Sequence, residues 1–189
     1  MAGERRREIL RTAIDIIADE GYSCLTMRSL ARASGMKLGA LQYHFRTWEE
    51  LLRALVGLIE EQLKTEWSRK GLDDDATVYD IAAFMVEDTS APGDTLLSDR
   101  LWPQLWAMEQ VEPLVSDLLE EVYAEYMKFL IKAMEKAGVD SSQAEALCLM
   151  SMLEGESLFT GEGRRWEKDR DLVRDTILKF VESRYGKSN

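Results

Sequence analysis

The most chemically varied stretch of the chain is GMKLGALQYHFRTWEELL, residues 35–52. It contains the only histidine of the sequence, His44, directly after Tyr43. Imidazole, hydroxyl, ammonium and carboxamide groups form hydrogen bonds with the phosphates and base edges of nucleic acids. In a helix, residues i and i+4 share a face. One face of this stretch would therefore carry Leu38, Gly39, Gln42 and Tyr43, with Ala40 and Leu41 on the other side. The pattern predicts a mixed polar binding surface.

Gly39 lies inside this short helical stretch. A glycine in a helix interior costs about 1 kcal/mol relative to alanine. That cost indicates that another molecule approaches the backbone closely, and a DNA phosphate or groove wall fits this requirement. The alternative is a glycine that is simply tolerated near a helix start.

Two helical segments precede this stretch and must position it. The segment LTMRSLARASG begins with Thr26, a favourable N-cap, and stops at Gly35. Before it, RREILRTAIDIIADEGY repeats apolar residues at helical spacing: Ile9, Leu10, Ala13, Ile14 and Ile17. A glycine at the bend between two short helices suits a helix-turn-helix, whose second helix enters the major groove. The sequence predicts a three-helix DNA-binding head.

A multi-position pattern runs through this head: Thr26, Arg28, Leu30, Ala31, Gly35, Gly39, Leu41, Tyr43, His44, Phe45, Glu49, Leu51 and Leu52. Over about residues 5–56 it resembles the N-terminal domain of the tetracycline-repressor (TetR) family. Members are typically dimeric, ligand-responsive transcriptional regulators, most often repressors. The resemblance implies an all-α protein, with a helix-turn-helix DNA-binding domain at 1–47 and a helical effector-binding and dimerisation domain at 48–189.

The resemblance also implies which residues of the recognition helix read DNA. Lys37 would stand at the front of this helix, and base edges would face Leu38, Gly39 and Gln42. The sequence departs from the family pattern at two of these positions. Gln42 stands where an aromatic residue is common, and Leu38 where a small or polar residue is common. The operator sequence therefore does not follow from the resemblance.

Five further residues would contact phosphates or the groove wall. Thr26 and Arg28 would do so from the supporting helix, and Tyr43 and His44 through hydroxyl and imidazole groups. Trp48 stands where a phosphate-binding lysine is common. Two of the five have a structural alternative: His44 as a buried histidine bonded to a carbonyl, and Trp48 as a cover for the core of the head.

The distribution of charge agrees with a DNA-binding head on an acidic body. The chain has a net charge of −11, yet residues 1–56 carry nine basic and seven acidic side chains. Only this part can approach DNA without strong repulsion. Arg5, Arg6 and Arg7 suggest a basic arm, or alternatively a solvated start of the chain.

Beyond the head, turn residues divide the sequence into helices. Thr47 and Glu50 form a capping box that begins a long helix, Trp48 to about Lys70. A second helix is predicted from about Val78 to Asp88. Two prolines mark further elements: Pro103 should kink a helix or mark its start, and Pro113 suits the first turn of a helix reaching about residue 137.

The last two helices, around 142–160 and 169–185, carry more apolar surface than one small core needs. Two copies would form a four-helix bundle, as the resemblance also implies, and a dimer would match two heads to two half-sites. The predicted interface residues are Leu149, Leu153, Ile177, Phe180 and Val181. The alternative is that both helices only complete the core of one chain.

The middle helices supply aromatic and thioether groups suited to an apolar or aromatic effector: Phe84, Trp102, Trp106, Tyr123, Met127 and Met150. The alternative is that they form ordinary core. Three glutamates, Glu109, Glu154 and Glu156, could bind a cationic ligand if buried, but in so acidic a chain we expect them to be solvated.

Other function classes find less support in the sequence. The two cysteines, Cys24 and Cys148, form no metal-binding spacing, and we expect reduced thiols with Cys148 in the core. No segment is apolar enough to span a bilayer, so we expect a cytoplasmic protein with no membrane partner. No cofactor motif or catalytic motif occurs. The alternatives that remain are a helical interaction protein that has lost specific DNA binding and, with less support, an all-α enzyme.

Overall fold

The computed structural model describes residues 2–72, 74–86 and 98–186, and every regular element within these ranges is helical. The α-helices are α1 (Ala2–Glu20), α2 (Met27–Ala33), α3 (Leu38–His44), α4 (Trp48–Arg69), α5 (Val78–Val86), α6 (Trp102–Glu109), α7 (Pro113–Lys136), α8 (Ser142–Thr160) and α9 (Arg170–Tyr185). Single 3₁₀ turns lie at Tyr22–Cys24 and Glu167–Asp169. The all-α fold class predicted from the sequence is confirmed.

Local sequence signals account for the helix ends in the head. The Thr26 hydroxyl accepts the backbone N–H of Ser29, and the Ser29 hydroxyl accepts the backbone N–H of Thr26, which together cap α2. Gly35 ends this element with φ 66°, a left-handed conformation that a residue with a Cβ adopts only at a cost. The chain can therefore turn sharply from α2 into α3.

The helices of the body also follow their predicted signals. Pro103 is the second residue of α6 and Pro113 the first of α7, so both prolines mark helix starts. At the start of α4, the Thr47 hydroxyl accepts the N–H of Glu50, which is one half of the predicted capping box. The Glu50 carboxylate accepts the N–H of Arg46 instead of that of Thr47. The predicted end of α5 at residues 87–88 lies outside the described residues.

The chain divides into two compact units. The described parts of unit 1 are residues 2–64 and 98–121, and those of unit 2 are residues 65–72, 74–86 and 122–186. Unit 1 contains the core of the head, with these fully buried side chains: Ile9, Ile14, Ile17, Leu30, Leu41, Phe45, Leu51 and Leu52. Unit 2 has its own core, built from α5, α8 and α9 with the adjoining parts of α4 and α7.

The structure bears on the remaining expectations for the body. Among the described residues, no helix has the length and apolarity needed to cross a membrane. The same residues contain no cluster of histidine, cysteine and carboxylate side chains that could hold a metal ion. Cys148 is exposed, so its predicted place in the core was wrong. It lies on the outward side of α8, and its apolar neighbours in sequence do not bury it.

Candidate functional site

The predicted recognition helix α3 has one buried face and one exposed face. Leu41 and the following Phe45 are fully buried and anchor the helix in unit 1. Gln42 and Lys37 are exposed, and Tyr43 is 84% exposed. At that exposure, the Tyr43 ring is not stabilised by burial in the core. The outer face of α3 is therefore free to contact another molecule.

The structure refines the predicted orientation of the other residues on α3. Ala40 is exposed, so its predicted inward position was wrong, whereas Leu41 does point inward. Leu38 is half-buried at the edge of the face. A Cβ added to Gly39 would meet no atom within 4 Å. The surface above Gly39 is open, as close approach of a ligand to the backbone requires.

Two predicted contacts lie on or next to the supporting helix α2. Thr26 and Arg28 are both exposed. The cap formed by Thr26 and Ser29 fixes the first turn of α2 and, with it, the position of Arg28. Both side chains remain accessible to a phosphate.

His44 is half-buried at the end of α3. Its ring lies edge-on to the ring of Tyr43, with 5.7 Å between the ring centroids. Its backbone carbonyl accepts a hydrogen bond from the Arg6 guanidinium at 2.8 Å. The C-terminal end of α3 is therefore tied to α1.

Arg5 and Arg6 were expected to form a basic arm or a solvated start, and the structure assigns them another role. The Arg5 guanidinium donates to the carbonyl of Ser34, in the turn between α2 and α3, at 2.7 Å. Arg6 contacts the end of α3 and also lies 4.3 Å from the centroid of the Phe45 ring. These two arginines clamp the helix-turn-helix onto α1. Only long-range contacts show this role, and no local pattern in the sequence indicates it.

Glu50 extends the contact that Arg6 makes with the end of α3. Its carboxylate accepts the backbone N–H of Arg46 at 3.0 Å and pairs with the Arg6 guanidinium at 3.0 Å. The hydrogen bond from Arg46, followed by that from Arg6, lowers the pKa of Glu50 below its ordinary value. The carboxylate is therefore ionised at neutral pH and holds the loop that links α3 to α4.

Trp48 does not reach the DNA-facing surface in the predicted way. Its indole N–H donates to the Glu112 carboxylate at 3.3 Å, and the Tyr22 hydroxyl donates to the same carboxylate. Burial, followed by the contact with Glu112, raises the pKa of Tyr22 well above its ordinary value. The only hydrogen-bond donor of the indole is used within unit 1, which contradicts the predicted phosphate contact and favours the packing alternative.

A polar helix face presented by a glycine turn has the form of a DNA-binding helix-turn-helix, and comparisons with known proteins identify its family. The family described as "Bacterial regulatory proteins, tetR family" matches residues 9–55. The HTH-type transcriptional regulator PksA of Bacillus subtilis is 23% identical over 185 residues, covering 95% of this chain and 89% of that protein. Residues 9–55 therefore carry the DNA-binding domain of the TetR family.

Two further proteins are similar to this chain. The HTH-type transcriptional repressor Rv1474c of Mycobacterium tuberculosis is 41% identical over 68 residues, 36% of each chain. A protein from Saccharomonospora viridis, described as a transcriptional regulator and solved in complex with choline, shares the fold with a TM-score of 0.76 at 19% identity. That match covers 98% of this chain and 100% of the other.

The predicted effector residues fall into both units. Trp102 and Trp106 are half-buried on α6 in unit 1. Phe84 and Met150 belong to the core of unit 2, and Tyr123 and Met127 are partly buried against it. A cavity of about 400 Å³ in unit 2 is lined in part by Phe84. Ligand pockets typically have volumes of about 300–1,000 Å³, so this cavity is large enough for a small molecule.

Of the glutamates expected in solvent, one is buried and another is partly buried. Glu156 is 7% exposed and faces the guanidinium groups of Arg170 and Arg174. Glu154 is partly buried, and this burial raises the pKa of its carboxyl to about 7 although the Tyr123 hydroxyl donates to it. The expectation of solvated side chains was therefore wrong for both, because tertiary packing covers α8 on two sides. Glu109 is half-buried on α6.

Four of the five predicted interface residues are buried within the chain itself: Leu149, Leu153, Ile177 and Val181. They pack in the core of unit 2 and cannot contact a partner in this conformation. Only Phe180 is exposed, at 46%. The apolar side chains that α8 and α9 do expose were not predicted: Leu147, Met152, Leu158, Phe159 and Leu172. The surface available for dimerisation is therefore the opposite side of the same two helices.

Proposed function

We propose that this transcriptional regulator is a repressor that binds a palindromic operator as a homodimer and leaves it when a small molecule binds. The observation that carries the proposal is the outer face of α3, where Gln42 and Tyr43 are exposed while Leu41 anchors the helix. The name of the Mycobacterium tuberculosis relative supports repression rather than activation. Because the DNA of a bacterium lies in its cytoplasm, we also propose that compartment.

The proposed contacts divide by chemistry. Base edges meet Lys37, Leu38, Gly39 and Gln42, because these residues occupy the first two turns of the recognition helix or its N-cap. Phosphates are bound by Thr26, Arg28, Tyr43 and His44, which supply hydroxyl, guanidinium and imidazole groups. Trp48 is left out because its indole N–H is bonded to Glu112.

The proposed dimer buries the exposed apolar side of α8 and α9. Leu172 is 67% exposed and Phe180 lies two turns further along the same face of α9. On α8 the corresponding face carries Leu147, Met152 and Phe159. Large apolar side chains grouped in this way mark a protein interface. A symmetric pair of such faces would form a four-helix bundle and present two heads to two half-sites.

For the effector, we propose unit 2, where Phe84, Tyr123, Met127 and Met150 were predicted to bind it. Methionine side chains adapt to ligands of different shape, and Phe84 lines the cavity described above. The similar protein from Saccharomonospora viridis was solved in complex with choline, which supports a small organic molecule as effector. Trp102 and Trp106 lie on α6 in unit 1 and are left out of this proposed site.

Operator binding should depend steeply on salt. Arg28 neutralises a phosphate directly, and Lys37 brings a second positive charge into the groove that also displaces a counterion, so a dimer displaces about four counterions and a log–log plot of affinity against salt should have a slope of about −4. A gel-shift titration against the promoter beside the protein's own gene, repeated at several salt concentrations, measures this slope. Arg28→Ala should make the slope less steep by about 2, because a dimer then loses two phosphate contacts.

The matched control for that change is Lys128→Ala, which removes an exposed cation from α7 in unit 2. It should leave both affinity and slope unchanged. If wild-type protein shifts no promoter fragment, or if Lys128→Ala flattens the slope as much as Arg28→Ala, the proposed DNA surface is wrong. Failure to shift any fragment would favour the helical interaction protein instead.

Gln42 and Tyr43 should respond differently to substitution. Gln42→Ala should change the preference for one base pair by about 1–3 kcal/mol, because a carboxamide reads a base edge. Tyr43→Phe should weaken binding to all sequences alike, because it removes one phosphate hydrogen bond. Competition between operator variants that differ at single base pairs measures both effects. Equal losses on every sequence for both variants would contradict the assigned roles.

A further inference from the structure

The recognition helix α3 is too short to hold its own position. It has seven residues, and an isolated helix of that length is unstable in water. The last carbonyl groups of a helix have no partner within it, and in α3 the carbonyl of His44 is one of these. The Arg6 guanidinium of α1 donates to this carbonyl at 2.8 Å. A residue 38 positions earlier in the chain therefore fixes the C-terminal end of α3.

The same guanidinium makes two further contacts next to α3. Its Nη1 and Nη2 atoms donate to Glu50 Oε1 at 3.1 Å and 3.0 Å, and its Cζ atom lies 4.3 Å from the centroid of the buried Phe45 ring. The other Glu50 oxygen, Oε2, accepts the backbone N–H of Arg46 at 3.0 Å. Arg6 and Glu50 together hold the last residue of α3 and the loop that follows it.

The charges of these two side chains do not explain their presence in a DNA-binding head. A guanidinium paired with a carboxylate contributes little net charge, and it releases no counterion from DNA unless that pair breaks. The Glu50 carboxylate is ionised at neutral pH, because its hydrogen bonds from Arg46 and Arg6 lower its pKa. A negative charge so close to α3 repels DNA. Its benefit must therefore come from the contacts that it makes inside the head.

We infer that Arg6 and Glu50 are positioning residues for DNA reading: they raise operator affinity by holding α3 in place, and neither touches DNA. The inference rests on the proposed function, because both residues act through Gln42 and Tyr43 on the exposed face of α3. A side chain that makes specific contacts must be held within about 0.5 Å of its productive position. A loosened end of α3 would exceed this limit and weaken binding.

The first test removes the arginine. Arg6→Ala should weaken binding to the promoter at least about tenfold and leave the salt slope unchanged, because α3 loses its anchor while no phosphate contact is lost. Arg7→Ala is the matched control, since it removes the same charge from the next residue of α1. Arg7 is exposed and pairs with Glu61 on α4 rather than with α3. This control should keep both affinity and slope, as gel-shift titrations at several salt concentrations will measure.

The second test removes the carboxylate, for which charge and positioning predict opposite signs. If charge alone mattered, loss of a negative side chain from the head would strengthen DNA binding. We expect Glu50→Ala to bind the promoter about tenfold more weakly, because Arg6 and the Arg46 N–H both lose an acceptor. Glu49→Ala removes the same charge from the preceding residue, whose carboxylate pairs with Arg53 of the same helix. It should bind at least as tightly as wild type.

Two further measurements separate a displaced α3 from general unfolding. In the free protein, hydrogen exchange of the α3 amides should be about tenfold faster in Arg6→Ala, with the second half of α1 as protected as in wild type. Arg6→Lys keeps the charge but lacks the planar fork that spans two acceptors, so it should lose most of the affinity too. Faster exchange throughout the head, full affinity in Arg6→Lys, or tighter binding by Glu50→Ala would each overturn the inference. A salt slope less steep by about 2 in Arg6→Ala would instead make Arg6 a phosphate contact.

The same data separate this inference from the proposed function. If the wild-type protein shifts no promoter but α3 alone exchanges faster in Arg6→Ala, the regulator proposal fails and the anchoring of α3 by Arg6 stands without it. If wild-type protein and Arg6→Ala bind the promoter equally well, the regulator proposal stands and the inference fails.

Discussion

Leu172→Asp and Phe180→Asp should each convert the protein into monomers that bind the operator at least about 100-fold more weakly than wild type. The first head of a dimer tethers the second near its half-site, so a monomer loses this gain in affinity. Leu172 is 67% exposed, so its replacement removes little packing within the chain. An aspartate there would have to be buried without a partner in the dimer, which strongly disfavours association.

Analytical ultracentrifugation at micromolar concentration and the promoter gel shift measure the two effects. Ala124→Asp is the matched control, since it adds the same charge at an exposed position on α7. It should remain dimeric and bind DNA normally. A wild-type protein that sediments as a monomer would exclude the proposed dimer. Dimers that persist in both variants would place the interface elsewhere.

The prediction of the interface residues was wrong for four of the five, and the reason is physical. Both α8 and α9 carry apolar residues around much of their circumference, so helical periodicity cannot tell which side packs inside the chain. Leu149 and Leu153 differ from Leu147 and Leu158 only in the side of α8 on which they lie. Which side faces the core depends on how α5 and α9 pack against α8, and no local pattern encodes that arrangement.

The head was predicted more fully because its signals are local. The caps of α2 and α4, the glycine between α2 and α3, and the spacing of Leu41 and Phe45 each act within a few residues. The contacts of Arg6 with His44 and Glu50 join residues 38 and 44 positions apart. Such pairs require the tertiary structure, so the arginine clamps were mistaken for a basic arm or a solvated terminus.

In the proposed effector region, too, the sequence alone does not predict which charged side chains are paired. Glu154 and Glu156 are the same residue type on the same helix, and nothing in the sequence separates them. Packing gives Glu156 two arginines and leaves Glu154 bonded to the neutral Tyr123 hydroxyl. Identical side chains thereby acquire opposite energetic roles: the first is a neutralised structural ion, and the second is a desolvated acid.

Glu156→Ala should destabilise the protein by about 3–5 kcal/mol, because it leaves the guanidinium groups of two largely buried arginines without their shared anion. The side chains of Arg170 and Arg174 are only 15% and 14% exposed, so water cannot replace the lost carboxylate well. The Thr160 hydroxyl, which donates to the same carboxylate, would keep only the backbone carbonyl of residue 156 as its acceptor. Urea denaturation at neutral pH measures the loss of unfolding free energy, and Glu162→Ala, at an exposed position, should show almost none.

Glu154→Gln should change the free energy of unfolding in the opposite direction, and the size of this effect should depend on pH. The folded-state pKa of Glu154 is raised to about 7, so the folded protein binds the proton more tightly than the unfolded chain does. This carboxyl therefore favours folding most below its unfolded pKa, and the advantage is lost as pH rises through about 7. Near pH 8 the glutamine variant should be more stable than wild type by up to about 3 kcal/mol, and near pH 4 the two should be similar. If both glutamate substitutions destabilise the protein equally at pH values of about 8, the contrast between a paired and an unpaired buried carboxylate is wrong.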